Sequence, residues 1–177
     1  LARAAARPAR VRRYGSRCTT TWRTRRARTP IARESTRLWC AAVSGPQTSL
    51  DPQRNREWIP NSRYGGHAFG FRSTGAEQAQ DFQRFYESRE KLLPWIRQYS
   101  PMEHASADDP PLYLFGSQKE LAVKGTEQKD PTHSALFCVM LAEKLQPLGV
   151  EVIVNYAGKP DPRFATVMDY QIATLKQ

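Results

Sequence analysis

Apolar positions change their spacing several times along the chain, and each change predicts an element. Cys40-Ala-Ala-Val-Ser44 is a short apolar run stopped by Gly45-Pro46, which predicts a buried strand. Before it, Ile31–Trp39 reads as the end of a helix, with Glu34 and Arg37 three residues apart. Residues 47–75 are polar and glycine-containing, a surface excursion by this pattern. Over Glu77–Ile96, Phe82, Phe85, Tyr86, Leu92, Leu93 and Ile96 recur at helical spacing, with Pro94 expected to kink or restart the helix. Leu112-Tyr-Leu-Phe115, entered through Pro110-Pro111 and left through Gly116, predicts a second strand. Asp130-Pro-Thr-His133 predicts a helix start with proline near its first position, and Leu136, Phe137, Met140, Leu141 and Leu145 supply the apolar face. Gly149 ends that helix, Val150–Tyr156 is a β-rich run, and Ala165–Lys176 is a final helix presenting Met168, Ile172 and Leu175.

Strands alternating with helices predict an α/β fold with a parallel sheet covered on both faces. Three strands are fewer than a doubly wound sheet usually has, so the sheet is expected to be partial.

Charge divides the chain. Of 177 residues, the first 33 hold eleven arginines, no lysine and no acidic residue; the rest hold sixteen basic and seventeen acidic groups. The net charge of +10 therefore belongs to the amino-terminal block. An arginine arm for nucleic acid is one reading of such a block. The remainder gives it no support, lacking zinc-ligand spacing, a GxxG loop and a basic helical face after Arg33. No apolar stretch of signal-peptide length follows the basic residues, and no run is long enough to span a membrane, so the compartment is left open. Cys18, Cys40 and Cys138 form neither a disulfide framework nor a metal pattern, and no cofactor motif occurs. The resulting division is a basic segment 1–30 and a domain 31–177, with a surface or cap-like excursion at 47–99.

Cys40–Gly45, the long excursion, Tyr99-Ser-Pro-Met-Glu-His104, Asp109-Pro-Pro-Leu-Tyr-Leu-Phe-Gly116, the helix 133–146, Leu148-Gly-Val-Glu-Val152 and Tyr156-Ala-Gly158 follow one another in a telling order. In that order they resemble the C-terminal half of the α/β-hydrolase fold, in its esterase/lipase and prolyl-oligopeptidase-like branch. The resemblance covers roughly residues 31–177 and implies a serine on a strand-to-helix elbow, then an acid, then a histidine. This chain departs from each: it has no Gly-x-Ser-x-Gly, it offers Ser117-Gln-Lys119 and then Glu120 where the acid is expected, and Lys159-Pro-Asp161 where the histidine is expected.

Glu120 as a relocated acid and His133 as a substitute base are the candidates for catalysis. His104, His67 and Ser44 lack partners at a telling spacing, and Gly65-Gly66 with its neighbouring aromatics is read as a turn. The resemblance thus implies the C-terminal portion of a serine esterase, lipase or peptidase, truncated and without the elbow, not competent as it stands. A small ester or peptide would be the substrate of a complete relative. The alternative is a non-enzymatic module whose Trp58, Tyr64, Phe69, Phe71 and Trp95 line a groove among the arginines of 54–97. If Cys18–Thr29 were encoded by GC-rich codons, the same DNA read one base out of phase would give a balanced, acid-containing peptide, and the phases would rejoin in a cytosine run encoding Thr29-Pro30. Residues 1–30 are accordingly expected to be out of frame. The strand 40–44 would then keep an open edge, inviting self-association.

Overall fold

A computed structural model describes residues 38–72 and 75–176. The basic segment 1–30 and residues 31–37 of the helix end expected over Ile31–Trp39 lie outside the described residues; Leu38 and Trp39, which are described, are not helical. In chain order the elements are β1 (Ala41–Ser44), α1 (Pro52–Trp58), α2 (Gln78–Glu87), α3 (Arg89–Tyr99), β2 (Leu112–Gly116), α4 (Leu136–Leu145), β3 (Val152–Tyr156) and α5 (Val167–Leu175), with short 3-10 turns between them.

The three strands form one parallel sheet in the order β1-β2-β3, with Val43, Leu114 and Val154 in register. Strand alternation sends Leu112, Leu114 and Val152 to one face. There they meet Leu136, Phe137, Leu141 and Leu145 of α4, together with Trp58 and Ile59. Tyr113 and Ile153 go to the other face, against Tyr170 of α5, Phe164 and Val167. Both faces of β2 are covered, which is why its sequence is a continuous apolar run and not an alternating one. The fold class is α/β, as the element pattern predicts.

Several boundaries differ from the sequence reading. Helix α4 starts at Leu136, so Asp130-Pro-Thr-His133 is loop. Its start is set by acceptors for the unpaired first-turn N–H groups: Gln118 Oε1 takes Ala135 N at 2.8 Å and Ser134 Oγ takes Leu136 N at 3.2 Å. The helical pattern of 77–96 breaks at Ser88, and Pro94 lies inside α3. Arg89, the first residue of α3, is drawn inward to the buried Asp51, which fixes the break there.

The excursion is not uniformly at the surface. Thr48, Ser49, Asp51, Asn55 and Ser62 are buried although polar. Hydrogen bonds make this affordable: Thr48 Oγ1 donates to Phe137 O at 2.9 Å, Asn55 Nδ2 to Ser49 O at 3.1 Å, and Leu50 N to Ser100 Oγ at 2.9 Å. Further along, Phe82, Phe85 and Ile96 form a separate apolar cluster of the excursion. Thr166 and Asp169 make a reciprocal capping box at the start of α5. Tyr170 is the buried side chain of that helix, while Met168, Ile172 and Leu175 are exposed.

Candidate functional site

Parallel strands deliver all their following loops to one end of the sheet, which makes that end the place to look for chemistry. Two glycines let the loops after β2 and β3 close on each other. A Cβ on Gly116 would lie 3.0 Å from Ala135 Cβ and 3.3 Å from Tyr156 Cβ. On Gly158 it would lie 2.5 Å from the carbonyl oxygen of Glu120, closer than any side chain tolerates. Residue 120, one place after the position where the resemblance expects the acid, therefore touches the loop in which it expects the histidine.

Gln118 holds the loop after β2. Its carbonyl oxygen accepts from Ser134 Oγ at 3.0 Å and Ala135 N at 2.8 Å, and its amide donates to Gln128 Oε1 at 2.7 Å. Gln128 is tied to Asn61 through both backbone groups, at 3.1 and 2.8 Å, so the loop is pinned to the excursion. Tyr156 Oη accepts from Ala122 N at 3.2 Å. Across the end of β3, buried Asn155 donates to the carbonyls of Phe164 and Ala165 and accepts from Asp161 N, fixing the loop that leads to α5.

These loops enclose a polar cleft of about 290 Å³ whose ionisable and hydroxyl-bearing walls are Ser117, Lys119, Glu120, Lys129, Asp130 and His133. Glu120 Oε1 pairs with Lys129 Nζ at 2.7 Å, and that hydrogen bond and charge raise the lysine's affinity for its proton. Asp130 uses both carboxylate oxygens on one residue: Oδ2 lies 2.8 Å from His133 Nδ1 and Oδ1 accepts His133 N at 3.2 Å. Partial burial pushes the Asp130 carboxyl up, but the hydrogen bonds from the His133 ring and backbone outweigh it and hold the group below its usual range. An ionised Asp130 accepts the Nδ1 proton, leaving the lone pair of a neutral imidazole on Nε2.

The structure thus brings Glu120 and His133 to one cleft but joins neither to the other. His104 lies apart, with Nε2 2.8 Å from Gln98 O, and His67 packs on the Tyr64 ring at 5.1 Å. Ser44 ends β1 and is followed by Gly45 at φ 54°, not by a helix. Among the described residues no hydroxyl or thiol is hydrogen-bonded to a histidine. The Cys138 thiol is pushed up to about 12 by burial, which removes it as a nucleophile at neutral pH. Of the five rings proposed to line a ligand groove, Trp95 alone faces outward: Trp58 and Tyr64 pack edgewise on Phe137, and Phe69 and Phe71 lie on Phe85. Asp130 is the residue that sequence reasoning did not single out as a partner; its signal was the three-residue spacing to His133.

A second hollow, of about 530 Å³, lies beside β1 and is walled by Leu38, Val43, Leu50, Tyr64, Leu112 and Leu114. Its walls are mostly apolar, with Asp109 among them. Among the described residues no cluster of three histidine, cysteine or carboxylate side chains is arranged to hold a metal ion, and no helix is long and apolar enough to cross a membrane. Comparison with known protein families, with curated proteins and with solved structures found no match to this chain.

Proposed function

We propose that residues 38–176 correspond to the C-terminal half of an α/β-hydrolase-like domain of the serine esterase, lipase or peptidase class, without a serine-acid-histidine relay of its own. The observation that carries this reading is the contact of Gly158 with the carbonyl of Glu120 at the end of a parallel β1-β2-β3 sheet covered by α4 on one face and α5 on the other. That is the meeting of loops which an acid and a histidine require, occupied here by a glutamate paired with lysine and by a loop without histidine. A hydroxyl needs an oriented imidazole to take its proton before it can attack an acyl carbonyl. The test is incubation of the chain with p-nitrophenyl butyrate with and without a serine-directed phosphonate. No phosphonate-sensitive hydrolysis is expected, and turnover abolished by the phosphonate would overturn the reading.

Self-association belongs to the same proposal. Among the described residues β1 pairs only with β2, with Ala41 N donating to Pro111 O and Gly45 N to Phe115 O at 2.9 and 2.8 Å. Alternation turns the N–H groups of Ala42 and Ser44 the other way. Nothing in Ala41–Ser44 blocks pairing there, since the strand carries neither proline nor lysine. Light scattering is expected to show a mass that rises with concentration, and Ala42→Pro, which removes one of those donors, is expected to reduce the rise. A mass that stays at one chain over the whole concentration range would refute it.

A further inference from the structure

We propose that Asp130 and His133 act as a general-base pair that drives attack of water on a small acyl ester held in the cleft beyond Gly116, with no serine nucleophile. This rests on reading the sheet end as a hydrolase-type acyl site. Three observations converge on it. The pair sits at the carboxyl end of the parallel sheet, where loops from β2 and the approach to α4 leave a hollow. Asp130 grips both the ring and the backbone of His133, at 2.8 and 3.2 Å, so the imidazole is oriented with Nε2 as its free nitrogen. The cleft holds two further groups suited to an oxyanion, the Ser117 hydroxyl and the Lys119 ammonium.

The charged groups facing His133 are Asp130 on its own loop, Lys129 paired with Glu120, and Lys119 on the loop after β2. The two cations and two carboxylates cancel in formal charge. At about 290 Å³ the hollow has room for a small acyl ester.

In the step itself, Nε2 takes a proton from water as the water oxygen bonds to the acyl carbon and the carbonyl electron pair moves to its oxygen. Re-forming the carbonyl breaks the ester C–O bond, and the departing alkoxide takes the proton from Nε2. Carboxylic acid and alcohol leave; the histidine is neutral again, and Asp130 has remained a carboxylate throughout.

The experiment is p-nitrophenyl acetate hydrolysis by the whole chain from pH 5 to 9, compared with His133→Gln, Asp130→Asn, and a His67→Gln/His104→Gln control. Expected is a phosphonate-insensitive rate on the order of 10²-fold above buffer containing equimolar imidazole. His133→Gln should abolish the excess, Asp130→Asn should cut it by about tenfold, and the control should keep it; circular dichroism verifies that each variant is folded. No excess rate, an excess kept by His133→Gln, or one lost in the control overturns the base pair. A phosphonate-sensitive rate would instead refute the absence of a serine relay, so the two readings fail separately.

Discussion

Phe137→Ala is expected to lower the unfolding free energy by about 3–5 kcal/mol, the range for removing a fully buried aromatic ring. Phe137 has no solvent exposure and stands where three parts of the molecule meet. Its ring is packed edgewise by Trp58 of α1 and by Tyr64, each at 6.1 Å, and its carbonyl receives Thr48 Oγ1 at 2.9 Å. Deleting it opens a cavity between α4 and the excursion that neither can close without breaking the other contacts. Against a domain stability of about 5–15 kcal/mol the loss is severe. Trp95 is the control: it is half exposed and stacks on Tyr99 alone, so Trp95→Ala should cost less than about 1 kcal/mol. Urea denaturation measures both, and equal costs would refute the packing account.

The strands β2 and β3 were legible in the sequence because each is buried on both faces, whereas β1, expected to be a buried strand, is only half-buried with Ser44 exposed. Leu112–Gly116 and Val152–Tyr156 are apolar runs bounded by proline and glycine, and no competing pattern obscures them. What the pattern missed was tertiary. Periodicity ran through Ser88 without a gap, because the break there comes from Arg89 reaching Asp51, 38 residues earlier in the chain. Asp130-Pro-Thr-His133 carried every local mark of a helix start, yet Gln118 and Ser134 supply the acceptors that place it at Leu136. Polar residues 48–62 looked like surface since sequence shows polarity but not partners, and their partners lie across the fold in Phe137 and Ser100.

The site was half legible. Glu120 and His133 were found by asking where an acid and a base should fall, and both line the same cleft. Their actual partners were not, because Lys129 and Asp130 reach the cleft only when the loop after β2 folds back on itself, held by Gln118 and Gln128. Final helix α5 shows the converse error of periodicity. Met168, Ile172 and Leu175 share a helical stripe and stay exposed, whereas Tyr170, off that stripe, fills the core by stacking on Tyr113 at 5.1 Å. An aromatic with a large buried area outweighs three aliphatic residues in choosing the inward face.

Acid should separate wild type from Asp51→Asn. Asp51 caps α1 by accepting Gln53 N at 3.0 Å, and its two oxygens take Arg89 Nε and Nη2 at 2.7 Å each. Burial alone would push its carboxyl up; the Arg89 hydrogen bonds and charge, with the Gln53 and Arg54 N–H groups, outweigh that and hold it below its ordinary value. Asparagine keeps one capping oxygen but surrenders the second oxygen and the charge, so the variant isolates the ion pair. Arg89 then retains Glu90 at the surface, which limits the cost to about 1–3 kcal/mol at neutral pH. Because the folded carboxyl is the stronger acid, the unfolded chain binds the proton first, and its ordinary value is about 3.9. The ion pair's contribution is therefore complete above about pH 5 and drains away as the pH falls below 4 through the depressed folded value. The gap between wild type and Asp51→Asn in urea midpoints should be constant from pH 8 to 5 and narrow steadily below 4. A gap that widens in acid, or one that never exists at pH 7, would show that the Asp51–Arg89 pair does not hold α1 against α3.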